Sequence, residues 1–317
     1  MHYPAKYGRI TQGRRRECQT NTQTNAAVLK ELQRLIARHA RPDGLPVRAL
    51  PNLILMSAVA PTLSVAEVTE PVFALVAQGT KRVGLGDKVF DYSAGRYLIV
   101  SVDLPLDASI VKATAAAPYL GLGFSLRPEA IATLLLATRP ALSARSEPPG
   151  IAVSDVTDDL VDPVVRLLRL LDRPADIPVL AAAIEREILW RLINGPQGTM
   201  VRQIGSADSR MARIAQAIRW IRRHYAEPVR IEELARVAGM SVTSFHRHFR
   251  GITSMTPIQY QKCLRLQTAR SRLMSTAEDV AAVGCAVGYD SPSQFSREYR
   301  RLFGQSPGRD GRNRRPR

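Results

Sequence analysis

Cysteine, histidine and aromatic residues are scarce in this chain of 317 residues, which has three cysteines, five histidines and an aromatic content of 6%. Cys18, Cys263 and Cys285 lie too far apart to form a metal-binding spacing or a disulfide framework. Only His2 and His39 precede residue 206, so that region lacks the ligands for a multi-histidine metal site. We therefore expect no metal, no cofactor and no catalytic centre.

Long apolar runs and acidic residues are also lacking. No uninterrupted apolar run approaches the ~20 residues that span a bilayer, and the N-terminus has no signal-peptide core. These features favour a cytoplasmic protein without a membrane partner. The chain has 45 Lys and Arg against 28 Asp and Glu, and residues 206–317 carry +12 of the net charge of +17. Such a basic region indicates a polyanionic partner, most often nucleic acid.

The stretch from Asp279 to Pro307 predicts two short helices that meet at a tight turn. Apolar residues at helical spacing precede Gly288, which suits a left-handed helix end. Ser291 and Pro292 suit the cap and first turn of the second helix. Its apolar face would bury Phe295, Tyr299, Leu302 and Phe303, and its polar face carries Ser293, Ser296, Arg297, Arg300 and Arg301. This pattern predicts a helix-turn-helix that binds DNA.

An earlier segment repeats this pattern. LARVAGM at 234–240 matches VGCAVGY at 283–289 position for position, and aromatic residues follow both segments at similar offsets. Between them, Thr256 and Pro257 open a helix of ~18 residues, ~27 Å long. Such a linker helix can hold two reading units about one DNA turn apart, ~34 Å. Arg265 and Arg270 on this helix are expected to face solvent.

Two unequal helix-turn-helix units, one linker helix and the ending VGYDSPSQFSREYRRLFGQSP resemble the AraC/XylS family of bacterial transcription regulators. One departure is Gly284, where this family usually has alanine. The resemblance implies a regulator that binds double-stranded promoter DNA, with RNA polymerase as a further partner if it activates transcription. The base-reading candidates are Thr243, His246 and Arg247 in the first unit and Ser293, Ser296 and Arg297 in the second. The phosphate-binding candidates are Arg250, Lys262, Arg300 and Arg301.

Residues 45–127 have a different pattern, with short β-type runs separated by Gly and Pro. Gly86 and Asp87 suit a tight hairpin, and the regular spacing of the runs predicts a small antiparallel barrel or sandwich. The run from Phe73 to Pro105, together with PYLGLGFSL, resembles the cupin-like N-terminal domain of one AraC subgroup. The predicted fold is thus a two-domain α+β protein: a cupin-like antiparallel β-barrel with flanking helices, then an all-α domain of two helix-turn-helix units joined by a linker helix.

A barrel mouth can bury a small apolar effector. Its candidate lining residues are Gln78, Lys81, Arg96, Tyr97 and Tyr119. An equally open interpretation of each is that it occupies an exposed strand position or, for the tyrosines, the core. Apolar stripes in the helices predicted at 128–137, 158–171 and 177–193 would cover the sheet or a second subunit, and we favour a homodimer.

The predicted boundaries are a disordered basic extension at 1–24, a sensor domain at 25–198, a linker at 199–209, a DNA-binding domain at 210–308 and a disordered basic tail at 309–317. The alternative hypothesis is a DNA-tethered enzyme, or a sensor of thiol or alkyl damage, that acts through the N-terminal region. Cys18 is its candidate thiol, because neighbouring arginines can lower the pKa of a cysteine.

Overall fold

The computed structural model describes residues 27–138, 148–276 and 278–313. The extension predicted at 1–24, with Cys18, and residues 314–317 of the predicted tail lie outside these ranges. The first described helix, α1, spans 27–39 and buries Leu32, Leu35 and Ile36 completely. No helix within the described ranges combines the length and the apolarity needed to cross a bilayer.

The N-terminal domain contains two antiparallel sheets. The six-stranded sheet has the order β1-β2-β9-β4-β7-β10, and the four-stranded sheet has the order β3-β8-β5-β6. The strands of the first sheet are β1 (Val47–Leu50), β2 (Leu53–Ala58), β4 (Val72–Gln78), β7 (Arg96–Val100), β9 (Tyr119–Ser125) and β10 (Ile151–Asp155). Those of the second are β3 (Val65–Thr69), β5 (Thr80–Leu85), β6 (Lys88–Ser93) and β8 (Leu104–Lys112).

The hairpin between β5 and β6 is the predicted tight turn. Leu85 pairs with Lys88, so Gly86 and Asp87 are the two turn residues. Gly86 has φ +61°, which suits the first central position of a type II′ turn and is strained for a residue with a Cβ. Along β5, Val83 and Leu85 are buried whereas Arg82 is exposed. This alternation makes one face of the hairpin part of the core.

Helices flank the six-stranded sheet. They are α2 (Pro128–Thr138), α3 (Asp158–Arg169), α4 (Ile177–Asn194) and α5 (Gly198–Gly205), and two short 3-10 turns lie between α3 and α4. Gln33 of α1 donates to the Ala77 carbonyl of β4 at 2.8 Å, and Arg169 of α3 pairs with Glu31 of α1 at 2.7 Å. One continuous apolar core includes buried residues from both sheets and from these helices.

Within its described residues, the C-terminal domain has helices as its only regular structure. Its helices are α6 (Arg210–Arg223), α7 (Ile231–Val237), α8 (Val242–Thr253), α9 (Pro257–Ser275), α10 (Val280–Ala286), α11 (Pro292–Phe303) and α12 (Pro307–Asn313). Thr256 and Gln259 form a capping box at the start of α9, which is 19 residues long. An antiparallel β domain followed by an all-α domain confirms the predicted fold class.

The prediction of a linker at 199–209 is wrong over most of its length, because Gly198–Gly205 forms helix α5. Met200, Val201 and Ile204 are buried. A Cβ built on Gly205 would lie 2.7 Å from the Ala132 nitrogen, so α5 packs directly against α2. The connection without regular structure shrinks to residues 206–209. Gly and polar residues indicated a loop, but the apolar residues between them required burial.

The prediction of disorder from residue 309 is wrong for residues 309–313, which belong to α12. Asp310 is fully buried and accepts hydrogen bonds from Arg270 at 2.8 Å, Tyr299 at 2.9 Å and Gln305 at 2.6 Å. Arg270, which was expected to face solvent, is itself buried, with its guanidinium 4.5 Å from the centre of the Phe303 ring. The domain therefore extends beyond the predicted end at residue 308.

Candidate nucleic-acid interface

The first helix-turn-helix unit is formed by α7 and α8. Leu234 and Ala235 of α7 are buried, as are Phe245 and Phe249 of α8. Gly239, with φ +60°, turns the chain between the helices. Ser241 then accepts a hydrogen bond from the Ser244 backbone nitrogen at 3.4 Å and so caps the start of α8.

The second unit repeats this arrangement with α10 and α11. Val283 and Val287 pack with Phe295 and Tyr299 in a separate apolar cluster. Gly288 has φ +93°, and a Cβ there would lie 2.2 Å from the Ala226 carbonyl oxygen. Glycine is required at this turn for two reasons: the left-handed backbone and the close approach of the end of α6.

Gly284, the departure from the family pattern, faces the Phe295 ring. A Cβ at this position would lie 3.0 Å from Phe295 Cδ1, which is tighter than ordinary van der Waals contact. The glycine lets α10 and α11 approach closely, at a cost of ~1 kcal/mol in helix propensity relative to alanine.

The predicted base-reading residues lie on the outer faces of α8 and α11. Thr243 and Arg247 are exposed on α8, and Ser293 and Arg297 are exposed on α11. His246 and Ser296 are half-buried beside them. Arg247 Nη2 lies 3.4 Å from the Nε2 atom of His248, a buried residue that the sequence pattern did not single out. Both helices therefore present polar faces free of apolar packing.

The predicted phosphate-binding residues divide into two groups. Arg250, Arg300 and Arg301 are exposed near the C-terminal ends of α8 and α11. Lys262 instead donates to Glu298 at 2.8 Å. Burial disfavours the charged form of Glu298, but hydrogen bonds from Lys262, Tyr289 and Gln294 hold its pKa below the ordinary value. Lys262 can still reach a phosphate, because its side chain is 45% exposed.

Arg265 of α9 joins the segment after α6 to the second unit, although the sequence pattern placed it in solvent. Its Nε donates to the Tyr225 carbonyl at 2.7 Å, and its Nη1 donates to the Gly288 carbonyl at 2.7 Å. Its Nη2 donates to the Ala226 and Glu227 carbonyls, both at 3.0 Å. The guanidinium thus links the segment after α6 to the turn of the second unit. Sequence periodicity gave no signal for this role, since it cannot distinguish an exposed arginine from one that binds distant carbonyls.

The five effector candidates do not form one pocket. Gln78 donates to the Pro118 carbonyl at 2.8 Å, and Arg96 pairs with the exposed Asp155 at 3.1 Å. Tyr97 lies on the opposite face of β7 from Arg96, where its hydroxyl hydrogen-bonds Ser154 and the backbone of Gln197. Grouping these residues on one surface was wrong, because side chains alternate between the two faces of a strand.

Lys81 and Tyr119 do lie in one region, together with Tyr92, which the sequence pattern missed. Lys81 pairs with Tyr92 across the β5–β6 hairpin, so both point to the same face as the buried Val83. Tyr119 is buried close enough to Tyr92 to act on its ionisation, and burial raises the pKa of both phenols. Burial also lowers the pKa of Lys81, while Glu67 opposes that shift. The two phenols are therefore neighbours in the core, and Lys81 shares the face of the hairpin that carries Tyr92.

The alternative hypothesis, a DNA-tethered enzyme or a damage sensor, requires either a metal site or a reactive thiol. Within the described ranges, no group of three or more His, Cys, Asp or Glu residues has a metal-binding arrangement. Burial raises the pKa of Cys263 to about 11, so this thiol is protonated and a weak nucleophile at neutral pH. Cys285 is exposed. Cys18 lies outside the described residues.

These features define a class of protein: a double helix-turn-helix domain of the DNA-binding type, attached to an antiparallel β domain. Comparison with protein-family models agrees. The model of the AraC-type transcriptional regulator N-terminus matches residues 49–200, and the model of a helix-turn-helix domain matches residues 234–313. The chain belongs to the AraC/XylS family, in the subgroup with this N-terminal sensing domain.

Individual relatives share parts of the chain. The HTH-type transcriptional regulator ArgR of Pseudomonas aeruginosa is 30% identical over 149 residues, which are 47% of this chain and 45% of that protein. The HTH-type transcriptional activator RhaS of Enterobacter sp. (strain 638) is 36% identical over 96 residues, or 30% of this chain and 34% of that protein. The chain spans about half the length, or less, of these curated relatives.

One group of solved structures resembles both domains together. The crystal structure of an apo ToxT variant from Vibrio cholerae strain SCE256 has a TM-score of 0.54 and covers 83% of this chain and 97% of that chain. Its sequence identity is 8%, so the similarity concerns the fold alone.

Proposed function

We propose that the protein binds specific sites in double-stranded promoter DNA and regulates transcription from them. The observation that carries the proposal is the pair of exposed polar faces on α8 and α11. Each face offers one arginine able to fork onto guanine, Arg247 or Arg297, with a neighbouring hydroxyl from Thr243 or Ser293. The two faces are connected by α9, and Arg265 of α9 holds the turn of the second unit against the segment after α6. This arrangement supports simultaneous reading of two neighbouring major-groove segments.

Electrostatics support the same conclusion. Residues 206–317 carry +12 of the net charge, and Arg250, Arg300 and Arg301 stay exposed next to the reading faces. Phosphate contacts of this kind add affinity without sequence information and make binding depend strongly on salt. Since promoter DNA of a bacterium lies in the cytoplasm, the proposal also places the protein there. An activating role would add RNA polymerase as a partner.

The N-terminal domain is proposed to sense a small molecule between its two sheets, near Lys81, Tyr92 and Tyr119. The ammonium and the phenols favour an effector with an apolar body and at least one hydrogen-bond acceptor or acidic group. An effector regulates only if it binds one arrangement of the two domains better than another. The four-stranded sheet supports such coupling, because its inner face carries Lys81 while α9 contacts its strands β3 and β8.

A homodimer is proposed as the binding form. Leu136 of α2 is 80% exposed and Val179 of α4 is 75% exposed, and these helices contact each other. A two-fold dimer would place two copies of the reading faces on DNA and bury this apolar surface. Analytical ultracentrifugation of the full chain tests the assignment, and a monomer at micromolar concentration would exclude it.

The central test is binding of the full chain to the promoter regions beside its own gene, over a salt series and with nonspecific DNA as competitor. Arg247→Ala and Arg297→Ala should each cost ~1–3 kcal/mol at the specific site and little on nonspecific DNA. Arg300→Ala should weaken binding to all sequences. It should also reduce the slope of log affinity against log salt concentration by about 1, the contribution of one phosphate contact. Arg41→Ala, at an exposed position after α1, is the matched control. Equal binding of the unaltered protein to every sequence would refute the proposal.

A further inference from the structure

A recess between the two helix-turn-helix units has a wall from the N-terminal domain. Its volume is about 430 Å³, and its helical lining comes from α9, the C-terminal end of α8 and α11. Arg250, Lys262 and Arg301 contribute cations to it. The remaining wall is Gly86 and Asp87, the turn of the β5–β6 hairpin. A Cβ built on Gly86 would lie 3.6 Å from Met255 Cε, so the turn contacts the segment that follows α8.

Several contacts outside the recess hold the two domains together. Tyr260 of α9 donates its hydroxyl to the Asp103 carbonyl at 2.9 Å, and Arg222 of α6 pairs with the Asp103 carboxylate. The Gly150 nitrogen donates to the Ile252 carbonyl of α8 at 2.9 Å. The helix α9 also contacts β3 and β8, next to the hairpin in the four-stranded sheet. The two domains therefore share a hydrogen-bonded interface, which ends at the recess.

The same recess lies where a DNA backbone is expected. Arg250 follows the reading face of α8 and Arg301 follows that of α11, and both are exposed. Neither arginine has a carboxylate within ion-pairing distance among the described residues. Lys262 between them is already paired with Glu298. A phosphate backbone that contacts both arginines must cross the recess, where the hairpin turn now lies.

We propose that the Gly86–Asp87 turn is an autoinhibitory contact, in which the N-terminal domain occupies the phosphate-binding recess and DNA must displace it. This inference rests on the proposed DNA binding. The Asp87 carboxylate lines the same recess as Arg250 and Arg301, and its negative charge there repels phosphate. The turn also fills space that the backbone needs. DNA thus binds the undocked arrangement better, and docking lowers its apparent affinity.

The hairpin also connects this contact to the proposed sensing site. Lys81 and Tyr92 lie in the two strands that the Gly86–Asp87 turn joins. A molecule bound against their side chains would act on the same hairpin whose turn faces the DNA-binding domain. Effector binding and release of the recess therefore share one structural element.

Affinity measurements on full-chain variants test the contact. Asp87→Asn removes the charge from the recess, and Asp103→Asn weakens the domain interface outside it, since Asp103 is not part of the recess lining. Asp43→Asn is the control: Asp43 is exposed and outside the recess, and an asparagine oxygen can still accept the hydrogen bond of the Leu45 nitrogen. We expect at least threefold tighter site-specific binding for the first two variants and a change of less than twofold for the control.

If Asp87→Asn behaves like the control, the autoinhibitory contact is refuted. If the unaltered protein shows no site-specific binding at all, the proposed function itself fails, and the two failures are distinguishable.

Amide hydrogen exchange gives an independent readout on the unaltered chain. Because DNA must displace the turn, residues 85–90 should exchange faster in the specific complex than in the free protein. The base-reading helices should exchange more slowly there and so report that DNA is bound. Protected reading helices with unchanged or slower exchange at the hairpin would refute displacement.

Discussion

The C-terminal helix α12 should be an essential part of the DNA-binding domain, and Asp310→Ala tests this directly. Asp310 is completely buried, with its carboxylate bound to Arg270, Tyr299 and Gln305. Removal of the carboxylate leaves the Arg270 guanidinium without its ion-pair partner, in a side chain that is only 10% exposed. Breaking a buried ion pair from one side costs ~3–5 kcal/mol, because the remaining charge is desolvated and uncompensated. The expected loss of stability is therefore ~3–5 kcal/mol.

The measurement is urea unfolding followed by tryptophan fluorescence. The chain has two tryptophans, Trp190 in α4 and Trp220 in α6, so a Trp190→Phe background makes the signal report the DNA-binding domain. Asp208→Asn, at an exposed position before α6, is the control for charge removal and should change stability by less than ~0.5 kcal/mol. The double variant Arg270→Met with Asp310→Leu should recover most of the lost stability, because no unpaired charge remains buried.

A loss of less than ~1 kcal/mol for Asp310→Ala would refute the reasoning. It would mean that α12 is not docked in solution and that the domain ends near residue 306. A large loss without recovery in the double variant would instead assign the stability to the shape of the site and not to charge pairing.

Two further predictions concern contacts of the linker helix α9, made by Arg265 and by Lys262 with Glu298. Arg265→Met should lower stability by ~2–3 kcal/mol, since it leaves four carbonyls without this donor, and should weaken site-specific binding more than nonspecific binding. Arg236→Met, at an exposed position of α7, is its control in the same unfolding and binding assays, and equal effects of the two would contradict the role of these Arg265 contacts. Glu298 has a lowered pKa in the folded protein, so its stabilising effect is complete above its ordinary pKa of 4.5 and is lost as the pH falls toward the folded value. The stability difference between the unaltered protein and Glu298→Gln should therefore shrink between pH 7 and about pH 3.5. If the difference in urea midpoint between the two proteins stays constant over that pH range, Glu298 does not stabilise the fold through its ionised form.

Local patterns in the sequence were sufficient for much of the C-terminal domain. Gly288 is left-handed as predicted, and Thr256 and Ser291 cap the helices predicted to start there. These features depend on residues within one or two helical turns, so a sequence pattern can reveal them. The predicted reading residues on α8 and α11 also lie on the outer faces of those helices, because apolar spacing fixes which face is buried.

Sequence reasoning failed where a polar residue is satisfied by a distant one. Arg265 and Arg270 were both placed in solvent because they are charged, yet one binds four carbonyls and the other a buried carboxylate. The basic composition of residues 309–317 likewise concealed Asp310, the residue that anchors α12. Hydrophilicity indicates that a group needs a polar partner, and it does not say whether that partner is water or protein.

The sequence alone therefore determined the two-domain architecture, the position of the helix-turn-helix units and the face each recognition helix presents, since all of these follow from periodicity, caps and turn residues. Tertiary structure decided the rest: the split of the five effector candidates between separate surfaces, the pairing of Lys262 with Glu298, the contacts of Arg265 with four carbonyls, and the docking of the β5–β6 turn against the segment that follows α8. These features depend on contacts between residues far apart in the chain, and packing of the whole fold selects such contacts.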